Sequence, residues 1–148
     1  MSVTGTSHTS AVDTYTRLLR AHASTTRCLS SRLLADHGLS INDYEALQLL
    51  SRAEGQVLKR VELARRLVLS PSGVTRLLEG LEASGLVERA SCPTDLRVTY
   101  ARLTDAGVRA LERAAGDHER AVAALLEEHL TGDDIETLRE LLGKLPDC

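Results

Sequence analysis

Apolar positions recur at helical spacing along most of this chain. Between Ala11 and about Asp36 they fall at Val12, Tyr15, Leu18, Leu19, Leu29, Leu33 and Leu34, with no Gly or Pro among them, which predicts one long helix. His37-Gly38 ends it with a cation and a residue suited to a left-handed cap. Ser40, followed three residues later by Asp43, predicts the start of a second helix, Ile41 to about Arg52, with Tyr44, Leu47, Leu49 and Leu50 as core candidates and Glu54-Gly55 as its end. A short third helix is expected over Val61–Leu67, with Leu63, Ala64 and Leu67 facing inward. Ser70-Pro71 then places an N-cap before a proline at the first helical position, opening a fourth helix that carries Val74, Leu77, Leu78 and Leu81 to about Ser84, with Gly85 as its stop.

The period then changes. Residues 86–90 and 98–103 are short, with β-branched and aromatic content, and Ser91-Cys92-Pro93-Thr94-Asp95 between them is rich in turn formers, so a two-stranded hairpin is predicted. Thr104-Asp105 caps a long helix to about His129, with Leu111, Ala114, Ala115, His118, Val122, Leu125 and Leu126 as its apolar stripe. Thr131 with Asp134 starts a last helix through Leu138, Leu141 and Leu142, ended by Pro146.

Composition narrows the class. The 148 residues are 43% hydrophobic and 26% charged, which suits a globular domain, and no apolar run approaches the roughly 20 residues that span a bilayer. The first residues lack the basic and apolar regions of a signal peptide, so a cytoplasmic protein with a flexible tail over residues 1–10 is expected. Cys28, Cys92 and Cys148 have no metal-ligand spacing, and the five histidines are scattered; free thiols and no metal or other cofactor are expected. Cys28 reads as a small buried hydrophobe.

Net charge is −3, but it is unevenly placed. Between Lys59 and Arg102 eight bases face five acids, giving +3, whereas ten bases and sixteen acids leave −6 elsewhere. A local basic patch on an acidic body is what phosphate binding requires, since only charges within about a Debye length of DNA count.

The helix pair joined by Val68-Leu69-Ser70 reads as a helix-turn-helix, whose second helix would lie in a major groove. Its exposed positions Ser70, Ser72, Gly73, Thr75 and Arg76 are small, polar or basic, and Arg76 can reach a phosphate or a guanine. Capping alone also accounts for Ser70-Pro71-Ser72, and it is compatible with DNA contact. The hairpin beside this helix forms a wing whose Arg97 can enter a minor groove. Asp95 can orient Arg97 or Arg89 by a charge-assisted bond, or be an incidental partner in a solvated turn.

Taken with Gly38-Leu39-Ser40, these segments resemble the MarR family of bacterial regulators. The likeness runs through Glu62-Leu63-Ala64-Arg65-Arg66-Leu67, Leu69-Ser70-Pro71-Ser72-Gly73-Val74-Thr75-Arg76-Leu77 and Leu81–Arg89. It continues in Pro93-Thr94-Asp95-Leu96-Arg97 and Leu103-Thr104-Asp105-Ala106-Gly107. The wing Asp-x-Arg followed by Leu-Thr-x-Ala-Gly is its most specific part. The resemblance implies an obligate homodimer of triangular outline joined by the first and last helices, and repression relieved by a small ligand, often a phenolic acid, or by a thiol oxidant. Two departures stand out. Lys59-Arg60-Val61 replaces a polar, usually Ser/Thr-containing approach to the third helix, and Cys92 occupies a wing position that is usually polar or acidic. Cys28 lies too late in the first helix to match the family's thiol-sensing cysteine.

The expected fold is therefore mainly α with a small β-hairpin wing (α+β): one MarR-like domain over residues 11–148. Within it, 57–104 form the winged helix-turn-helix lobe, and 11–53 with 105–148 supply mainly dimerisation helices. The expected function is a dimeric transcriptional regulator that binds a pseudo-palindromic double-stranded operator through Lys59, Arg60, Ser70, Ser72, Thr75, Arg76, Arg89, Asp95 and Arg97. Arg17, Arg20 and His22 with Tyr44 are candidates to hold an anionic aromatic effector, or else surface and interface groups; Cys92 is the redox candidate. The alternatives are a thiol-responsive regulator and a winged-helix protein-association module; the latter would favour exposed aromatic and aliphatic residues over this polar cluster. No phosphate-binding, nucleophile-elbow, zinc-protease or dinucleotide fingerprint supports an enzyme.

Overall fold

The computed structural model describes residues 4–146 of the chain, with side chains described from His8 onward. The order of elements is α1 (Thr4–His37), α2 (Ile41–Arg52), a 3-10 turn (Glu54–Gln56), β1 (Val57–Lys59), α3 (Arg60–Arg66), α4 (Pro71–Ala83), β2 (Val87–Ser91), β3 (Thr99–Leu103), α5 (Asp105–Glu127) and α6 (Gly132–Leu142). No helix among the described residues is long and apolar enough to cross a membrane.

The predicted caps form. Ser40 accepts from the Asp43 amide while the Asp43 carboxylate accepts from the Ser40 amide, closing a capping box on α2, and Thr131 with Asp134 does the same on α6. Gly38 and Gly85 adopt φ of +68° and +73° at the ends of α1 and α4, where a left-handed residue lets the chain turn out of the helix.

Two expectations need correction. Residues 4–10 are helical rather than a loose tail. Their intrinsic helix propensity is low, but no proline interrupts them, and extending an existing helix adds a hydrogen bond for each residue fixed. The sheet has three strands, not two, in the order β1-β3-β2. Val57 lies opposite Arg102, Leu58 opposite Ala101 and Lys59 opposite Tyr100. Three residues show too little alternation to announce a strand; the partner edge of β3 creates this one.

The chain divides into two compact units, residues 26–116 and residues 1–25 with 117–148. The first unit holds the core: Leu47, Leu50, Leu63 and Leu78 are wholly enclosed, with Leu33, Tyr44, Val74, Leu81, Val87 and Leu103 around them. Thus α2, grouped with the dimerising helices on sequence grounds, packs into the core of the unit that carries the wing. The second unit contains no buried residue among those described, and Val12, Tyr15, Leu19, Leu141 and Leu142 are exposed.

Inside the first unit the start of α5 is held tightly. The Thr104 amide donates to the Leu86 carbonyl (3.1 Å), and its hydroxyl donates to the Gly85 carbonyl (2.6 Å) while accepting from the Gly107 amide (3.1 Å). A Cβ on Gly107 would overlap the Leu86 carbonyl oxygen and lie 2.6 Å from Leu103 Cδ1. The Leu-Thr-x-Ala-Gly segment is thus a packing device that brings α5 against the connection between α4 and β2.

Candidate nucleic-acid interface

Helices α3 and α4 are joined by four residues, Leu67 to Ser70. The turn is closed by the Val68 amide on the Arg65 carbonyl (3.3 Å) and the Leu69 amide on the Ala64 carbonyl (3.1 Å), the bond pair of a Schellman cap. Its left-handed position is filled by Val68, with φ of +54° and 90% exposure, where a β-branched residue is strained. Beyond it, Ser70 Oγ accepts from the Gly73 amide (3.1 Å) and lies 3.2 Å from Ser72 Oγ, while Thr75 Oγ1 donates to the Pro71 carbonyl (2.9 Å).

Val74, Leu78 and Leu81 face the core, so Ser70, Ser72, Thr75 and Arg76 are left on the solvent side of α4. The Arg76 side chain is exposed and makes no hydrogen bond or ion pair within the described residues. An unspent cation beside a capped helix N-terminus is suited to a polyanion.

The wing supplies the second element. Asp95 Oδ1 accepts from the Arg97 amide (3.0 Å) and from Arg97 Nε (3.3 Å), so this acid serves Arg97. Across the strands, Arg102 lies 3.6 Å from Glu88. Arg89 is exposed on β2 and makes no ion pair within the described residues. Lys59 is exposed at the N-cap of α3. Arg60 differs from the expected phosphate contact: it is half-buried, and its Nη2 is enclosed without a hydrogen-bond partner.

Glu62, Arg65 and Arg66 were not among the expected site residues. Glu62 accepts from Arg65 Nη2 (2.8 Å) and Arg66 Nε (2.7 Å), and these bonds, Arg65 first, hold its carboxyl below the usual carboxylate range. The signal was present in the i, i+3 and i, i+4 spacing of those residues.

The remaining candidates lie elsewhere. Arg17, Arg20 and His22 are exposed on the part of α1 that belongs to residues 1–25, and Arg17 pairs with Asp13 at 2.7 Å. Tyr44 is only 3% exposed and forms part of the core of residues 26–116, because its helix turns that face inward. Cys28 is exposed, contrary to expectation, since α1 keeps Leu33 rather than Cys28 inside. Cys92 is half-buried in the wing, with Sγ 3.2 Å from Thr94 Oγ1. The Thr94 hydroxyl, then the Thr94 and Asp95 backbone, lower its thiol pKa, with a smaller contribution from Tyr100. Cys148 lies outside the described residues. No group of three or more metal-ligating side chains is assembled among the described residues.

A capped helix following a four-residue turn, with a basic hairpin after it, defines a winged helix-turn-helix protein. Residues 37–97 match the MarR family. The HTH-type transcriptional repressor Rv2887 of Mycobacterium tuberculosis is 32% identical over 115 residues, covering 78% of this chain and 81% of that protein. Among solved structures, Sco3205, a MarR family regulator from Streptomyces coelicolor in complex with DNA, superposes with a TM-score of 0.80 at 29% identity, over 87% of this chain and 81% of that one. CouR from Rhodococcus jostii, bound to p-coumaroyl-CoA, gives 0.69 at 26% identity over 84% and 85%. The chain belongs to the MarR family: it is a DNA-binding transcriptional regulator, not an enzyme.

Proposed function

We propose that this protein is a repressor that binds a pseudo-palindromic operator as a homodimer in the cytoplasm and releases it when a small anionic aromatic effector binds. The observation that carries the DNA reading is the pairing of two presented cations, the unspent Arg76 on α4 and the Asp95-held Arg97 on the wing. Arg76, with Ser70, Ser72 and Thr75, addresses the major groove; Arg97 addresses the minor groove, while Lys59 and Arg89 meet phosphates. Two copies related by a two-fold axis would set their α4 helices about 34 Å apart, one turn of DNA.

Support for the dimer comes from the apolar side chains that α1 and α6 leave in solvent. The repressor reading draws on Rv2887, and the effector reading on the acyl-CoA carried by CouR. On this chain Arg17 and Arg20 are exposed cations of α1 and His22 is exposed on the same helix, whereas Tyr44 is buried in the core of residues 26–116 and carries no part of that reading.

Arg76→Ala and Arg97→Ala test the DNA reading, measured by fluorescence anisotropy on duplexes selected from a random pool. Each is expected to weaken binding by about tenfold or more while leaving the circular dichroism spectrum unchanged. Unchanged affinity in both variants at moderate salt overturns it.

One observation favours a second reading, a thiol switch in the wing: the Thr94 hydroxyl stabilises the Cys92 thiolate beside the DNA-binding turn. In that case peroxide releases the wild type from DNA and leaves the Cys92→Ser variant bound.

A further inference from the structure

The wing ends in a closed turn with an unexpected residue at its corner. The Val98 amide donates to the Asp95 carbonyl (3.1 Å), making Leu96 and Arg97 the two central residues of a β-turn. The Asp95 side chain locks that turn from inside by accepting from the Arg97 amide, and the Cys92 amide on the Val98 carbonyl (3.4 Å) closes the loop behind it. Turn corners favour Gly, Pro, Asn, Asp and Ser, residues that suit the backbone and solvent. Here the corner holds a leucine that is 86% exposed, beside an arginine whose side chain is 92% exposed.

A single exposed leucine is ordinary on a protein surface. This one is held in place by three hydrogen bonds of its own loop and is coupled to the cation proposed to enter a minor groove. Whatever accepts Arg97 must also accept Leu96. A groove with negative potential and apolar deoxyribose walls meets both demands at once.

We propose that Leu96 is a minor-groove contact that gives the wing a preference for A·T over G·C pairs; the inference rests on the DNA-binding reading above. The minor-groove edges of A·T and T·A present only acceptors, whereas G·C adds the guanine N2 amino group, a donor that projects from the groove floor. Covering that donor with a leucine leaves it without water or partner, which is unfavourable, while Arg97 donates to the A·T acceptors. Leu96 therefore excludes G·C, and Arg97 supplies affinity.

The test uses the full-length protein and its selected duplex, with the base pairs under the wing varied as A·T, G·C or I·C. Inosine lacks the N2 amino group, so I·C offers an A·T-like minor groove and a G·C-like major groove. Wild type is expected to bind A·T and I·C alike and G·C about fivefold more weakly. Leu96→Ser should reduce that preference to within twofold without changing the salt dependence, since no phosphate contact is lost. An undiminished preference in Leu96→Ser, or I·C behaving like G·C, overturns the inference. Arg76→Ala and Arg97→Ala in the same series separate the two failures: loss of binding in either with no Leu96 effect rejects only this inference, and unaltered binding by both rejects the DNA reading itself.

Discussion

Two glycines show how far the consequence of one residue depends on what surrounds it. Gly80 lies inside α4, and a Cβ there meets nothing within 4 Å; Gly107 lies inside α5, and its Cβ would overlap the Leu86 carbonyl. Gly80→Ala is expected to stabilise the fold by up to about 1 kcal/mol through helix propensity. Gly107→Ala gains the same term but forces α5 off the α4–β2 connection, which costs about 3 kcal/mol, so a net loss of about 2 kcal/mol is expected. Urea unfolding of both variants checks the opposite signs; equal shifts would show that the Thr104–Gly107 staple yields without cost. Residue-level chemistry was partly legible in the chain. Ser70, Arg76, Asp95 and Arg97 were identifiable because caps, turns and helix faces follow local spacing. The enclosure of the Arg60 guanidinium, the burial of Tyr44 and the exposure of Cys28 were not, because each depends on which elements lie alongside.

At the scale of elements, the helices follow their caps. Both capping boxes formed where Ser40 with Asp43 and Thr131 with Asp134 stood in the sequence, since the bonds involve residues three apart. The Thr131 hydroxyl and amide hold the Asp134 carboxyl below its ordinary value. A carboxyl depressed in the folded state contributes stability that is present above its unfolded pKa and lost as pH falls through its folded one. The first turn of α6 is therefore expected to fray on strong acidification, read from the NMR shift of the Asp134 amide. Asp134→Asn should weaken the cap at neutral pH and remove this acid-dependent step; an identical acid transition in that variant would assign the step elsewhere. Strand β1 was invisible for the converse reason: Val57–Lys59 has no local preference strong enough to declare itself, and its bonds all go to β3.

For the whole molecule, the contrast between the units is the governing fact. Residues 26–116 enclose a core, whereas the described part of the other unit encloses nothing and exposes Tyr15, Leu19, Leu141 and Leu142. Sedimentation at micromolar concentration is expected to show a dimer. Leu19→Glu combined with Leu141→Glu should dissociate it, and a folded wild-type monomer would reject the proposal. What the sequence by itself determined was the succession of helices, their caps, the wing turn and the basic window from Lys59 to Arg102, because these arise from interactions a few residues apart. Tertiary structure decided which apolar faces found partners, how β1 joined the sheet, and why Gly107 must lack a side chain. Those outcomes come from contacts between distant segments, whose free energy depends on shape and enclosure rather than on local spacing.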